Sequence, residues 1–336
     1  MQGNNYKQPK IAVIAITYKC NSKCQMCNIW QKQPKDEVKP SIYLKLPRSL
    51  NDINITGGEP FLRPDMIEIL DHIFARCHPP KIDISSNGFL TDKIIAISQE
   101  ILKRKYKDKV AINLSLDGIG EVHDKIRGIA HAYNKVITTI KGLKSIGFNN
   151  ISIGFTFMAG NEAEFEKVYN VSKELNLNFG ATIAHNADNY YSTHTNTVIN
   201  ADIVKEQINN IINEKIKSYS KTELGKCYYL HGLVYFNETH KAILPCDALS
   251  GTFFLDPYGD VYPCIILSNK IGNLTNNDFN KIWQSELADS VRSIVKNCHS
   301  PCWTVCTGKP AIKRHWYKAS LWLFKQKIIS SLRFSQ

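Results

Sequence analysis

Short apolar runs alternate with longer segments of helical periodicity from residue 11 to about residue 185. The runs Ile11–Thr17, Asp52–Thr56, Lys81–Ser86, Val110–Leu116, Ile151–Met158 and Gly180–Ala184 have the length and β-branched content of buried strands. Between them, Pro64–Arg76, Asp92–Lys103, Tyr133–Ile146 and Glu162–Leu175 repeat their apolar residues every three or four positions, as helices with one buried face do. Regular strand–helix alternation predicts a parallel sheet of βα units. Periodicity alone leaves a partial barrel and a doubly wound sheet both open.

The pattern then changes. Asn186 to Asn200 is rich in Asn, Thr, Tyr and His and reads as a loop near the carboxyl ends of the strands, where His185, Tyr190, Tyr191 and His194 are candidates to touch substrate or to be plain loop residues. Ala201–Tyr219 is a connector helix, with Ile203, Val204, Ile208, Ile211, Ile212 and Ile216 on one stripe. Beyond residue 225 the alternation stops. Phe253 to Pro263 reads as a hairpin turning at Asp256-Pro-Tyr-Gly259. The expected divisions are 8–200 for the βα region, 201–225 for the connector, 226–308 for a small cysteine-rich domain and 309–336 for a basic tail.

The cysteines carry the chemistry. Cys20, Cys24 and Cys27 stand at Cys-x3-Cys-x2-Cys spacing directly after the first strand. A four-iron cluster held by three cysteines keeps one iron open to a small molecule, whereas electron-transfer clusters are normally capped by four protein ligands. A closed zinc site would need a fourth ligand, which the following residues lack. Asn54-Ile-Thr-Gly-Gly-Glu-Pro60 ends the second strand, and Ser86-Asn87-Gly and Ser115-Leu-Asp117-Gly end the third and fourth. Strand carboxyl ends are where (β/α) barrels keep functional groups, although Gly-Gly, Ser-Asn-Gly and Leu-Asp-Gly also serve as ordinary turns. A second set, Cys246, Cys264, Cys298, Cys302 and Cys306, flanks and follows the hairpin. If Cys298 to Cys306 is helical, its four-residue spacing puts the three thiols on one face.

Together the thiol triplet, Met26 before its last member and the Gly57-Gly58-Glu59 segment resemble the radical S-adenosylmethionine (SAM) superfamily. That resemblance implies an open, partial (β/α)6 barrel of the TIM type. It also implies a 4Fe–4S cluster on Cys20, Cys24 and Cys27 whose open iron is chelated by SAM, and Gly57, Gly58 and Glu59 holding the SAM amino group. Ser86, Asn87, Ser115 and Asp117 become candidates for the ribose and methionyl parts of SAM or for substrate. Cys246, Gly259, Cys264, Ile271-Gly-Asn-Leu274, Ile282-Trp283 and the closing triplet resemble the auxiliary-cluster region of SPASM and twitch proteins. The closing run has three cysteines, short of the full SPASM pattern, so one auxiliary 4Fe–4S cluster is expected. Cys246, Cys264, Cys302 and Cys306 are the favoured ligands, with Cys298 competing for the fourth place and a zinc knuckle as the alternative. Cys227 stands apart as a ligand, a hydrogen-atom donor or a small buried hydrophobe, and Cys77 reads as the last of these.

Composition narrows the rest. Apolar residues at 43% and charged residues at 21% describe a globular protein. Without a signal-like or spanning stretch, and with cysteines clustered at metal-ligand spacing, the expectation is a cytoplasmic protein, with peripheral contact on the inner membrane face as an alternative. The net charge of +12 is concentrated in the tail, where Lys309, Lys313, Arg314, Lys318, Lys325, Lys327 and Arg333 meet no acidic residue. Nucleic-acid binding by the body is therefore not expected. The tail, with Pro310 placed to open a helix, reads either as a membrane-surface helix or as a helix packed on the body. The function expected is an oxidoreductase-type radical enzyme acting on a small-molecule or glycan-type substrate, supplied with electrons by a flavodoxin or ferredoxin. A peptide-modifying maturase and a non-catalytic iron–sulfur carrier or scaffold are the alternatives.

Overall fold

A computed structural model describes residues 6–33, 35–79, 81–197, 200–298 and 302–333. Strands β1 (Ile11–Thr17), β2 (Asp52–Gly57), β3 (Lys81–Ser86), β4 (Val110–Ser115), β5 (Ile151–Phe157) and β6 (Asn178–Ile183) pair in parallel, each with the next in sequence. Their order is sequential with no reversal, so the doubly wound alternative, whose order turns back at a switch point, does not apply. Helices α1 (Met66–Cys77), α2 (Thr91–Leu102), α3 (Glu121–Arg127), α4 (Ala132–Ser145) and α5 (Phe165–Glu174) fill the crossovers. The short α3 escaped the periodicity reading because seven residues give fewer than two repeats of a helical pattern.

The main core lies between sheet and helices. Ile14, Ile53, Ile55, Ile82, Ile84, Ile112, Leu114 and Ile153 from the strands meet Ile69, Leu70, Ile73, Ile94, Val136, Ile140 and Val168 from the helices. Burying each such side chain contributes about 1.5–3 kcal/mol relative to exposure. β1 is buried at six of its seven positions because its other face is covered too, as a central strand requires.

The cysteine-rich region continues the sheet of the βα region. Its strand β7 (Thr252–Leu255) pairs in parallel with β1, Ile11 opposite Thr252 and Ile14 opposite Leu255, and β8 (Asp260–Tyr262) and β9 (Gly272–Asn273) continue the same sheet in antiparallel fashion. One nine-stranded sheet thus runs β6-β5-β4-β3-β2-β1-β7-β8-β9. The connector is a pair of helices, α6 (Ala201–Lys215) and α7 (Lys221–Thr239), so the division expected at residue 225 falls inside α7. Cys227 lies on α7, fully buried in the main core beside Lys215 and Glu223, which fits a small hydrophobe. Cys77 is likewise buried in α1.

After α8 (Phe279–Trp283) and α9 (Glu286–Lys296) come α10 (Val305–Arg314) and α11 (Trp316–Arg333). Pro310 does not open a helix. It lies inside α10, which Thr304 caps through a reciprocal bond pattern with Thr307.

The side chain of Trp303, 1% exposed, packs on α7, its ring stacked on Tyr229 and its indole N–H donating to the Tyr229 carbonyl at 2.9 Å. A Cβ at Gly232 would stand 2.4 Å from that indole, whereas one at Gly225 on the same helix meets nothing within 4 Å. Gly232→Ala should therefore destabilise the protein by about 1–3 kcal/mol through overpacking. Gly225→Ala should stabilise it by up to about 1 kcal/mol through helix propensity. Urea unfolding of the two variants checks the opposite signs, and equal shifts would refute this packing.

Candidate functional site

The thiol loop begins where β1 ends. Its register against β2 slips between Ala15 and Thr17, a bulge that turns the Ile16 carbonyl away from the ladder. Arg63, 5% exposed, satisfies that carbonyl at 2.7 Å, donates to the Val38 carbonyl at 2.8 Å and binds both oxygens of Asp65. The loop is pinned on its far side by the end of α3: Lys23 N–H donates to the Arg127 carbonyl at 3.0 Å and Gln25 N–H to Ile126 at 2.9 Å. Ser22 Oγ donates to the Arg127 carbonyl at 3.0 Å and lies 3.0 Å from Cys24 Sγ.

Arg127 itself turns inward. Its Nε lies 2.6 Å from Asp117 Oδ2, and its Nη1 lies 3.5 Å from Cys24 Sγ. Asp117 Oδ1 accepts from Thr156 N–H at 2.8 Å, so both oxygens of this fully buried carboxylate are used within the protein. Burial opposes the charge on Arg127, and Asp117 beside it keeps the guanidinium protonated. Arg127 was missed by sequence reasoning. Only a cation ten residues after a strand-end aspartate hinted at it, and that hint needs α3 to become a contact.

Gly57-Gly58-Glu59 presses directly on the start of the thiol loop. Gly58 N–H donates to the Thr17 carbonyl and Glu59 N–H to the Lys19 carbonyl, both at 2.8 Å. Gly57 has φ of +145°, and a Cβ there would fall 2.1 Å from the Thr17 oxygen; at Gly58 it would fall 2.2 Å from the Lys19 oxygen. The glycines are thus demanded by the approach of one backbone to another.

Glu59 is fully buried, accepting from Phe61 N–H at 3.1 Å, Ser86 Oγ at 2.9 Å and Asn87 N–H at 2.7 Å. Burial pushes its carboxyl up to about 7, although these bonds pull the other way. Asn87 Nδ2 donates to Asn21 Oδ1 in the thiol loop at 2.7 Å. The structure therefore brings Glu59, Ser86 and Asn87 together beside the first cysteines, with Ser115 half-buried at the end of β4.

In the second set, Cys298 follows α9, Cys302 lies outside any helix or strand and Cys306 lies in the first turn of α10. The expected single helical face for these three does not form. They converge by tertiary folding instead. Each of the pairs among Cys246, Cys264, Cys298 and Cys302 interacts electrostatically, whereas the main partners of Cys306 are Asp52, Lys309 and, of the thiols, Cys264. Cys264, Cys302 and Cys306 also border one apolar cluster, so Cys298 and Cys306 both stand near the other thiols of the set. Among the described residues no three His, Cys, Asp or Glu side chains close up as a single-metal site requires.

The loop expected near the strand ends joins the two thiol sets. Asn28 N–H donates to the Tyr191 carbonyl at 2.9 Å, Asn196 Nδ2 to Met26 at 3.2 Å, and Asn189 Nδ2 to Leu267 at 3.2 Å. Tyr190, 8% exposed, lies with its hydroxyl 2.7 Å from Thr56 Oγ1 and donates to the Gly57 carbonyl at 2.7 Å. Tyr191 packs edge-on against Tyr190 at 5.0 Å and neighbours Cys306, Cys27 and Cys302. A small apolar cluster of Val13, Ala15, Tyr18, Phe254, Ile265 and Ile266 is bordered by thiols of both sets. His185 is structural: it donates from Nδ1 to the Ile183 carbonyl and accepts the Trp303 N–H at Nε2, so burial holds it neutral, lowered to about 4. His194 is exposed beside Asp188.

Comparison with known proteins agrees with this geometry. The Radical SAM superfamily profile matches residues 14–171, and the SPASM iron–sulfur cluster-binding domain matches residues 246–307. The chain belongs to the radical SAM superfamily and carries a SPASM region. Such enzymes use a 4Fe–4S cluster with SAM and auxiliary iron–sulfur chemistry in the SPASM part. Among curated relatives, it is 24% identical over 295 residues to AlbA, the antilisterial bacteriocin subtilosin biosynthesis protein of Bacillus subtilis (84% of this chain). It is 24% identical over 287 residues to the mycofactocin maturase MftC of Mycobacterium tuberculosis (80% of this chain and 69% of MftC). The chain spans 61% of the length of AlbA. Streptococcus suis SuiB shares the fold at TM-score 0.63 and 16% identity, over 85% of this chain and 68% of SuiB. The anSMEcpe complex with AdoMet and the Cp18Cys peptide shares it at TM-score 0.63 and 17% identity, over 87% and 84% of the two chains.

Two outcomes follow from the buried charges. Arg127→Ala should cost about 3–5 kcal/mol in urea unfolding of the cluster-free protein, since Asp117 is left charged and unpaired. A loss under about 1 kcal/mol, the level of an exposed pair, would refute the buried pair. For Glu59 the folded carboxyl titrates at about 7 against an ordinary 4.5, so its stabilising contribution is complete below 4.5 and disappears as the pH rises through about 7. Relative to Glu59→Gln, the wild-type urea midpoint should fall over that interval, and parallel pH profiles would contradict the assignment.

Proposed function

We propose that this protein is a peptide-modifying radical SAM maturase. The observation that carries the reading is the likeness to AlbA and MftC, which covers 84% and 80% of this chain, more than the SAM-binding half alone. It takes precedence over the small-molecule or glycan-type substrate expected from the sequence. The fold is also one that admits a peptide in anSMEcpe.

The residues present fit the cofactors. Cys20, Cys24 and Cys27 share one loop and would hold the SAM cluster; Glu59 is a fully buried carboxyl beside that loop whose ionised form a cationic amino group would stabilise. Ser86 and Asn87 orient that carboxylate. Cys246, Cys264 and Cys302, with Cys298 or Cys306, would hold the auxiliary cluster. When bound, these groups supply a 5′-deoxyadenosyl radical that takes hydrogen from an unactivated C–H bond, with a flavodoxin or ferredoxin as electron source and net oxidation of the peptide as the outcome. The protein's own part is exclusion and placement. Tyr190, Tyr191, Phe254, Ile265 and Ile266 keep the space between the thiol sets apolar, and Lys32 and Lys35 stand over the rings of Tyr18 and Tyr258 beside the thiol loop.

Anaerobically reconstituted protein, given SAM, dithionite and short peptides encoded within its gene cluster, should form 5′-deoxyadenosine and remove hydrogens from a peptide, read by mass. Turnover of sugars or nucleotides without any peptide product would overturn the reading. Replacing Cys20, Cys24 and Cys27 together by Ala should abolish 5′-deoxyadenosine while leaving about half of the iron, that of the separately ligated cluster. Retained SAM cleavage in that variant would refute the assignment of those thiols.

A further inference from the structure

Helix α11 has two apolar faces, of which the body uses one. On the inner face Ala319 is buried, Trp322 stacks on His231 with ring centres 4.6 Å apart and meets Tyr228 edge-on, and Leu323 packs against the main core. The expectation of a terminal helix packed on the barrel is met by this face. The outer face is different. Tyr317, Leu321, Phe324 and Ile328 are 54%, 59%, 65% and 44% exposed, and their spacing puts them in one stripe opposite Ala319. Trp316, 66% exposed, stands at its amino-terminal end. Water-facing rings and leucines in a contiguous row mark an interaction surface.

Charge says what covers it. Lys318 and Lys325 flank the stripe on one side, both exposed, and Lys327 lies on the other, over the ring of the almost fully exposed Tyr219. No acidic residue occurs after Asp289. A second copy of this helix would bring lysine rims against lysine rims, since a two-fold contact sets the same patch on both partners. An anionic surface accepts the same rims favourably, and bulky aromatics beside basic residues suit the boundary between headgroups and acyl chains. No helix among the described residues is long and apolar enough to cross a membrane, so the contact is with its surface.

We propose that the outer face of α11 docks this protein on a bilayer of anionic lipid, the helix lying in the headgroup plane with Tyr317, Leu321 and Phe324 inserted and Lys318 and Lys325 on lipid phosphates. The docking is independent of what the catalytic site modifies.

The test is flotation of the full-length, cluster-loaded protein with phosphatidylcholine vesicles, with and without phosphatidylglycerol. Binding should require phosphatidylglycerol and weaken as salt is raised. Lys318→Glu with Lys325→Glu should weaken partitioning on the order of tenfold or more, and Leu321→Ser with Phe324→Ser should abolish it. Far-UV circular dichroism and iron content should match wild type in both variants. Should either variant misfold, brominated acyl chains provide the check in the unaltered protein, where they should quench tryptophan fluorescence by an amount that Trp316→Phe reduces. Absence of flotation, equal flotation on neutral vesicles, or variants that float like wild type would overturn the proposal. So would a concentration-dependent dimer that Leu321→Ser with Phe324→Ser dissolves, because the stripe would then be a contact between copies.

Discussion

Everything at the candidate site depends on β1 having a parallel partner on each side. β2 brings Gly57, Gly58 and Glu59 to the carboxyl end of β1 from one flank, and β7 brings the hairpin and Cys264 from the other. The thiol loop leaves β1 between them. Two sets of cysteines separated by more than two hundred residues therefore border one apolar cluster, a juxtaposition that no loop alone could hold. The absence of side chains at Gly57 and Gly58 makes it possible, since any Cβ there would collide with the carbonyls that lead into Cys20.

Two buried guanidinium groups hold the ends of this arrangement. Arg63 ties the bulge of β1 to the Val38 carbonyl and to Asp65, and Arg127 ties the thiol loop to the ends of β4 and β5 through Asp117 and Thr156. Burying a guanidinium is tolerated where its planar donors are met, by carboxylate and carbonyl oxygens at Arg63 and by a carboxylate and a thiol at Arg127. A ligand loop anchored in this way presents its thiols with little conformational freedom left to lose, which favours uptake of a preformed cluster geometry.

The tail helix carries two faces of different character. Its Trp322 and Ala319 face belongs to the protein core, while Tyr317, Leu321 and Phe324 on the other face are exposed. Lys309, bound to Asp52 at the start of β2, fixes α10 to the sheet and so sets the direction in which α11 leaves the body.

The six parallel strands, the hairpin at Asp256–Gly259 and both cysteine groups were legible in the sequence because each depends on local signals: runs of β-branched residues, turn residues at fixed offsets and thiols close together in the chain. What was not legible depends on partners far apart. Sequence spacing suggested a helical face for Cys298, Cys302 and Cys306, but α10 begins only after its cap at Thr304, so Cys302 lies outside the helix that carries Cys306, and the approach of these thiols to Cys264 depends on β7 joining β1. The commitment of Asp117 to Arg127, and of Tyr190 to the Gly57 carbonyl across 133 residues, follows from burial, which makes an unpaired polar group costly and selects whichever partner the fold delivers. Local patterning determined which elements and which chemistry this chain carries; the closing of the sheet around β1 decided which of those residues meet.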